Sequence, residues 1–197
     1  MADAGRVIAG TARGIRLAAP GPTTRPFGDR VKQTLFAVLD ADLRDARVLD
    51  LFAGSGAGGI EALSRGARSA TFVERDRAAA DVIDDNLRRT HLDERATVVR
   101  SEALAWLAAR ATRNEPWDVV ILDPPYADTD LLARTLEALG RPGVVAAGGR
   151  IVAKHFWRDT PATRIGLLAS ERERRFGETA LTFYRVGSDE GASEEER

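Results

Sequence analysis

Short apolar runs alternate with amphipathic stretches along most of the chain. From position 47 onward, the apolar runs read RVLDLF, SATFVE, ATVVR, WDVVILD and RIVAK. Between these runs, apolar residues recur at helical spacing; in residues 78–87, for example, Val82, Ile83 and Leu87 share one face. Five strands with intervening helices predict a doubly wound parallel sheet with helices on both faces.

The two ends of the chain show other patterns. Residues 6–22 contain two short alternations of apolar and polar residues around a Gly-rich turn, which predicts a small hairpin with arginines facing water. Residues 30–39 have helical spacing, and Asp29 is placed to cap that helix. In residues 172–186, Gly177 separates two strand-like runs, which predicts an antiparallel hairpin at the end of the sheet.

The predicted fold class is therefore α/β, a doubly wound, mostly parallel seven-stranded sheet of the Rossmann-like kind with a small N-terminal β-hairpin extension. We divide the chain into a basic hairpin and loop (1–28), one compact domain (29–187) and a disordered acidic tail (188–197). The length of 197 residues is consistent with one main domain.

The composition excludes several kinds of chemistry. The chain contains no cysteine and only two isolated histidines, His91 and His155. Disulfides, thiolate metal sites and cysteine nucleophiles are therefore excluded, and we expect no bound metal. No apolar run approaches the roughly 18 residues needed to span a bilayer, and the first residues lack the apolar stretch of a signal peptide. We therefore expect a cytoplasmic protein.

Charge is unevenly distributed along a chain that is nearly neutral overall. There are 29 Lys and Arg residues against 30 Asp and Glu, a net charge of -1. The last ten residues are acidic, whereas residues 1–33 carry an excess of basic side chains. These are Arg6, Arg13, Arg16, Arg25, Arg30 and Lys32. This front segment is the part of the chain suited to contact the phosphates of a polyanion.

A glycine-rich turn follows the first of the parallel strands. In LDLFAGSGAGG, Asp50 ends the strand, and Gly54, Gly56 and Gly59 have the G-x-G-x-x-G spacing that opens a helix. Glu74 ends the second strand, where a carboxylate accepts hydrogen bonds from both hydroxyls of a ribose. This pattern fits both a nicotinamide dinucleotide and S-adenosylmethionine.

Asp50 helps to distinguish these ligands. A dinucleotide places a pyrophosphate over the loop, where a carboxylate would repel it, whereas S-adenosylmethionine carries an ammonium and a sulfonium. Asp50 therefore favours S-adenosylmethionine, although it could also only cap loop amides. After the third strand, Glu102 is placed to accept the adenine amino group, and the Ala103 amide to donate to the ring. The same acid could instead only complement a helix dipole.

The fourth strand runs directly into the turn Asp123-Pro124-Pro125-Tyr126. Its two prolines make the turn stiff and leave nearby carbonyl oxygens as acceptors. The exocyclic amine of a nucleobase is a poor nucleophile, but its lone pair is directed at a methyl donor if Asp123 and the Pro124 carbonyl each accept one N–H bond. Tyr126 offers a ring on which an unstacked base can lie.

The motifs LDLFAGSGAGG, FVERD and LDPPY resemble those of class I S-adenosylmethionine-dependent methyltransferases that modify exocyclic amines. With RVIAGTARGIRL, RPFGDRVKQTLF and FGETALTFY, residues 6–186 resemble the bacterial 16S rRNA guanine-N2 methyltransferases of the RsmD type. The resemblance implies methylation of one guanine in a 16S rRNA hairpin loop, within the small ribosomal subunit or a late assembly intermediate. We expect a monomer with no membrane partner.

The motifs and the resemblance together assign three groups of residues. Catalysis is assigned to Asp123, Pro124 and Tyr126. Cofactor binding is assigned to Asp50, Gly54, Gly56, Glu74, Glu102 and Ala103. RNA binding is assigned to Arg6, Arg13, Arg16, Arg25, Arg30 and Lys32. The chain departs from the family pattern at Phe27-Gly28, at Gln33 where an acid is common, and at Lys154-His155, a strand end that is often acidic.

Two other interpretations stay open. Related turns serve enzymes that methylate adenine N6 of DNA or RNA, or a protein glutamine, and the tetrapeptide itself does not select the base. A non-catalytic RNA-binding assembly factor is the second, but it would have no need of a stiff acceptor turn. The basic front segment and the lack of a separate target-recognition domain favour the rRNA guanine.

Overall fold

The computed structural model describes residues 2–21, 28–110, 115–126 and 128–188. The elements in chain order are β1 (Ala2–Arg6), β2 (Arg16–Ala19), α1 (Asp29–Leu43), β3 (Arg47–Leu51), α2 (Ala57–Ser64), β4 (Ser69–Glu74), α3 (Arg77–Thr90), β5 (Ala96–Arg100), α4 (Ala103–Arg110), β6 (Trp117–Leu122), α5 (Thr129–Leu139), β7 (Val145–Phe156), β8 (Arg164–Ile165), β9 (Leu168–Phe176) and β10 (Thr179–Val186). Within these described ranges, no helix combines the length and the apolar character needed to cross a membrane.

Strands β3 to β10 form one sheet in the order β5-β4-β3-β6-β7-β10-β9-β8. Strands β3 to β7 are parallel, and β9 and β10 form the antiparallel hairpin expected at the end of the sheet. The predicted doubly wound α/β fold is confirmed. The sheet has eight strands rather than seven because the two-residue strand β8 pairs with the start of β9.

The sheet separates two apolar cores. In β6, Val119 and Ile121 face the core under α1, α2 and α3, whereas Val120 and Leu122 face the core under α4 and α5. All four side chains are fully buried. The sequence of this strand is therefore a continuous apolar run, as expected for a strand covered on both faces.

The N-terminal strands β1 and β2 form a separate antiparallel pair that packs into the first core. Glu61 of α2 is fully buried and accepts hydrogen bonds from two backbone amides of the segment between these strands, at 2.7 and 3.0 Å. Asn86 of α3 is also fully buried. It bonds the amide and the carbonyl of Ala18 and donates to the Ser55 carbonyl. Asn86 thus connects the hairpin to the glycine loop.

Helix α1 differs from the prediction at both ends. It begins at Asp29 and runs to Leu43, and Gly28 holds the position before its first turn without a side-chain cap. The carboxylate of Asp29 instead lies 3.6 Å from Nε of Arg6. The predicted capping role of Asp29 is wrong because Gly28 occupies the cap position and Asp29 already lies in the first turn of the helix.

Replacing Asn86 with Ala should lower the free energy of unfolding by about 2–4 kcal/mol, because buried backbone groups on two segments lose their partners. Urea denaturation of Asn86→Ala and of Asp84→Ala, an exposed position of the same helix, provides the comparison. Equal stability of the two variants would show that Asn86 does not anchor the hairpin.

Candidate active site

A cavity of about 870 Å³ opens at the carboxyl ends of β3, β4, β6 and β7. This volume is typical of small-molecule sites. Its lining comprises Phe52, Ala53, Gly54, Ser55, Ala57 and Val73; Glu74, Arg75, Asp76, Ala79, Ser101, Glu102 and Ala103; the four residues 123–126; and Pro20, Gly21, Gly28, Val31, Leu131, Lys154 and Thr179. The predicted glycine loop, the acids and the proline turn therefore meet at one site.

The glycine loop depends on the missing side chains of its glycines. Gly54 and Gly56 have φ angles of 56° and 76°, in the left-handed region that favours glycine. At Gly59, a Cβ atom would lie 2.3 Å from the Phe72 ring, so glycine allows α2 to pack on β4. Phe52, which lines the cavity, also has a positive φ of 61°. Sequence reasoning missed Phe52, since nothing in a Phe signals a strained backbone.

Two of the predicted acids lie on the rim of the cavity. One oxygen of Glu74 accepts the Gly54 amide at 2.9 Å, and the other accepts the backbone amide two residues further on. Each oxygen retains lone pairs for a ligand hydroxyl. Glu102 is exposed and lies 3.5 Å from Arg75, while Ala103 is buried at the start of α4. The structure thus brings Glu74, Glu102 and Ala103 to one side of the cavity.

Asp50 and Gly56 lie behind the cavity lining rather than in it. Asp50 is 2% exposed, and its carboxylate accepts the Gly59 amide at 2.7 Å. Burial raises the pKa of Asp50 to about 8; the Gly59 hydrogen bond opposes this shift, and the charges of Asp123 and Glu74 add to it. Asp50 therefore links the end of β3 to the first turn of α2, and its direct contact with a ligand stays a prediction.

The proline turn presents its acceptors to the cavity. Asp123, Pro124 and Tyr126 all line it, and the Tyr126 hydroxyl lies 3.0 Å from Oγ1 of Thr179. This hydrogen bond fixes the tyrosine ring against the start of β10. Within the described part of the chain, no backbone amide donates to the Pro124 carbonyl. The arrangement can hold a planar amine between a carboxylate and a carbonyl oxygen.

Asp123 also makes an ion pair inside the cavity. Nζ of Lys154 lies 2.7 and 2.9 Å from its two oxygens and 5.3 Å from the centre of the Tyr126 ring. Burial raises the pKa of Asp123, and Lys154 opposes this shift. For Lys154, burial disfavours the charged form, but Asp123 and Tyr126 outweigh it, so the pKa of Lys154 is raised.

The sequence singled out Lys154 and His155 only as departures from a family pattern. The missed signal for Lys154 is its place at the end of the strand beside β6, where carboxyl ends meet. His155, by contrast, does not line the cavity. It is buried, and its ring lies 2.9 Å from Oγ1 of Thr182. Because side chains alternate along β7, Lys154 faces the cavity, whereas His155 lies on the other face of the sheet beside β10.

Lys32 is not available to a surface ligand. Its side chain is fully buried, and Nζ donates to the Arg6 carbonyl at 2.5 Å. Burial lowers the pKa of Lys32, and the charge of Glu61 opposes this shift. The prediction that Lys32 contacts RNA is therefore wrong: the hairpin folds over this helix position and uses the ammonium group as an internal donor.

The other basic residues of the front segment stay at the surface where they are described. The exposed ones are Arg6, Arg13, Arg16 and Arg30. Two of them face carboxylates, Arg6 with Asp29 and Arg16 with Asp3. Arg25 lies outside the described residues, as do residues 189–197 of the acidic tail. The front surface is therefore less positive than the sequence suggested.

A parallel sheet with this strand order, a glycine loop after β3 and a proline turn after β6 define the class I methyltransferase fold. Residues 5–185 match the family described as conserved hypothetical protein 95. The chain belongs to this family, the RsmD family, and the resemblance seen in the sequence is confirmed.

Relatives and solved structures agree with this assignment. Ribosomal RNA small subunit methyltransferase D of Escherichia coli is 38% identical over 180 residues, which cover 91% of this chain and 88% of that protein. YlbH of Bacillus subtilis is 37% identical over 181 residues, which cover 91% of this chain and 98% of that protein. The solved structure of yhhF from Escherichia coli has a TM-score of 0.81 and 36% identity, and covers 92% of this chain and 97% of that one.

The raised pKa of Asp50 should make stability depend on pH. Between the ordinary pKa of 3.8 and about 8, the folded chain holds a proton that the unfolded chain releases. Wild-type stability should therefore fall relative to Asp50→Asn as the pH rises through this range, with a slope of up to about 1.4 kcal/mol per pH unit. Urea unfolding of both proteins at several pH values measures the difference in their free energies of unfolding. A difference that does not change with pH would contradict the raised pKa of Asp50.

Proposed function

We propose that this protein transfers a methyl group from S-adenosylmethionine to the exocyclic N2 amine of one guanine in a hairpin loop of 16S rRNA. One observation carries the proposal: the acceptor turn Asp123-Pro124 shares a single cavity with the glycine loop and with Glu74. The 38% identity to a small subunit rRNA methyltransferase supports the class of substrate. The expected partner is the small ribosomal subunit or a late assembly intermediate.

The cavity contains side chains that fit S-adenosylmethionine. Glu74 is held by two amides at the position where ribose hydroxyls would donate, and Glu102 with Ala103 borders the place for the adenine. The left-handed Gly54 lets a ligand approach the backbone closely. Once bound, S-adenosylmethionine supplies a methyl group activated by a sulfonium.

Asp123 and Pro124 would carry out the positioning that the reaction needs. If each accepts one N–H bond of the target amine, the nitrogen lone pair is directed out of the ring plane toward the glycine loop. The amine nitrogen then forms the new N–C bond as the bond from the methyl carbon to sulfur breaks. Asp123 would stabilise the positive charge that develops on this nitrogen. One proton of the methylated amine would then leave to solvent.

Tyr126 would hold the target base outside its stack. In an A-form duplex the N2 amine of guanine is not accessible along the line that methyl transfer requires, so the nucleotide has to be extruded, and a hairpin loop lowers that cost. Stacking on an aromatic ring typically contributes about 1–3 kcal/mol per base. The hydrogen bond to Thr179 keeps this ring in place before the base arrives.

The test uses purified protein, radiolabelled S-adenosylmethionine, small ribosomal subunits from cells that lack the endogenous enzyme, and nucleoside analysis of the 16S rRNA. We expect label in N2-methylguanosine. Label in another nucleoside or in protein would contradict the guanine substrate. No label despite measurable cofactor binding would favour the non-catalytic assembly factor.

In the same assay, Asp123→Asn should reduce labelling by about 100-fold, since it removes the charge that stabilises the reacting amine. Cofactor affinity by calorimetry should stay the same.

Lys154 should control the pH at which Asp123 works. Asp123 is faced by Lys154 from β7, by the buried carboxyl group of Asp50 from β3 and by Tyr126 on its own turn. Since burial raises the pKa of Asp123 and Lys154 opposes this, Lys154→Gln should shift the acidic limb of kcat to higher pH. Lys154→Arg should largely restore it. A uniform loss of rate with an unchanged pH profile would instead indicate a packing role.

A further inference from the structure

A second groove lies between α1 and β9, beside the catalytic cavity. It has a volume of about 720 Å³, and its polar lining is formed by Gln33 and Thr34 on α1 and by Arg150, Glu171, Arg172 and Arg174 on the sheet. We propose that this α1–β9 groove binds the phosphate backbone of the RNA next to the target nucleotide. This inference rests on the proposed function and adds a surface that the sequence did not indicate.

Strand register places Arg172 and Arg174 on the groove side of the sheet. Arg172 pairs with Phe183 and Arg174 with Leu181, and both apolar partners belong to the core under α1. The two arginines are two residues apart and so lie about 7 Å apart along the strand. This spacing is close to that of successive phosphates in a single strand.

The two arginines carry charge that no carboxylate of the described residues neutralises. Glu171, the acid of the groove lining, pairs with Arg150 at 2.7 Å and with Arg185 at 2.9 Å. Arg150 also pairs with Asp42 of α1 at 2.9 Å. Arg172 and Arg174 have no such ion pair in the described part of the chain, and α1 faces them with neutral side chains.

Both walls of the groove lead to the catalytic cavity. The N-terminal end of α1 contributes Gly28 and Val31 to the cavity lining. Strand β9 ends at Phe176, whose register partner Thr179 also lines the cavity and bonds Tyr126. A chain segment that delivers a base to Tyr126 can therefore continue along Arg172 and Arg174. The N-terminal hairpin contacts α1 through Asp29 and Lys32, whereas other positions of this helix line the groove. The two arms of a hairpin loop would therefore pass on either side of the start of α1.

Edge-strand protection is the competing explanation for these arginines. From Glu171 to Phe176, β9 has no partner beyond β10 among the described residues, and charged side chains on such an edge prevent pairing with other chains. That purpose needs only charged side chains along the free edge and does not require two of them to line a groove. Protection alone therefore does not account for an uncompensated pair of cations in a groove that leads to the site.

The experiment compares Arg172→Gln/Arg174→Gln with Arg44→Gln/Arg141→Gln. The control removes the same charge from exposed positions next to the starts of β3 and β7, at the opposite end of the sheet. Steady-state methylation of small subunits should show KM raised about tenfold in the groove variant with kcat unchanged, and its binding to protein-free 16S rRNA should lose about two units of salt slope. Arg172→Lys/Arg174→Lys should retain most of the affinity, since it keeps the charge.

The outcomes separate the inference from the proposed function. A groove variant that behaves like the control, while the wild type methylates guanine N2, would overturn the groove alone. A loss of binding to subunits without any loss for protein-free rRNA would also overturn it, in favour of a contact with a ribosomal protein. A wild-type protein that methylates no subunit nucleoside would contradict the proposed function, whereas the salt slopes on rRNA would still measure the groove.

Discussion

The reversal of strand order between β3 and β6 is the constraint on which the rest of this structure depends. The chain builds outward from β3 to β4 and β5, and then returns to the other side of β3. A crevice therefore opens at the carboxyl ends of these central strands. Because the strands are parallel, the glycine loop, Glu74 and the proline turn all end at this crevice. Groups more than seventy residues apart in sequence thus line one cavity.

The charges in the crevice are controlled by burial. An isolated carboxylate enclosed by protein tends to take up a proton, as the raised pKa of Asp50 shows. Asp123 has a partner in Lys154, which opposes the same effect. A buried ion pair of this kind is weak evidence for stability. Its consequence here is chemical: Lys154 favours the charged form of Asp123 in the turn that we propose holds the target amine.

The N-terminal hairpin is part of the site because it is anchored to the same helices. Asn86 bonds both the hairpin and the glycine loop, and Lys32 donates to the hairpin backbone. The cavity is consequently lined by Pro20, which directly follows the hairpin, and by Val31 in the first turns of α1. Helix α1 lies between the hairpin on one side and the α1–β9 groove on the other. The proposed RNA surface therefore has two flanks that meet at the start of this helix.

The sequence by itself determined the fold class, since apolar runs and helical spacing report local structure and burial directly. It also indicated the glycine loop and the Asp123-Pro124-Pro125-Tyr126 turn, because strand ends and stiff turns are local features. The tertiary structure decided which side chains meet. In the folded chain, Asp50 is buried beneath the glycine loop and Lys32 is buried under the hairpin. Asp29 pairs with Arg6 instead of capping its helix, and Lys154 pairs with Asp123. Ion pairs and buried hydrogen bonds depend on distances between segments remote in sequence, and no local pattern encodes those distances.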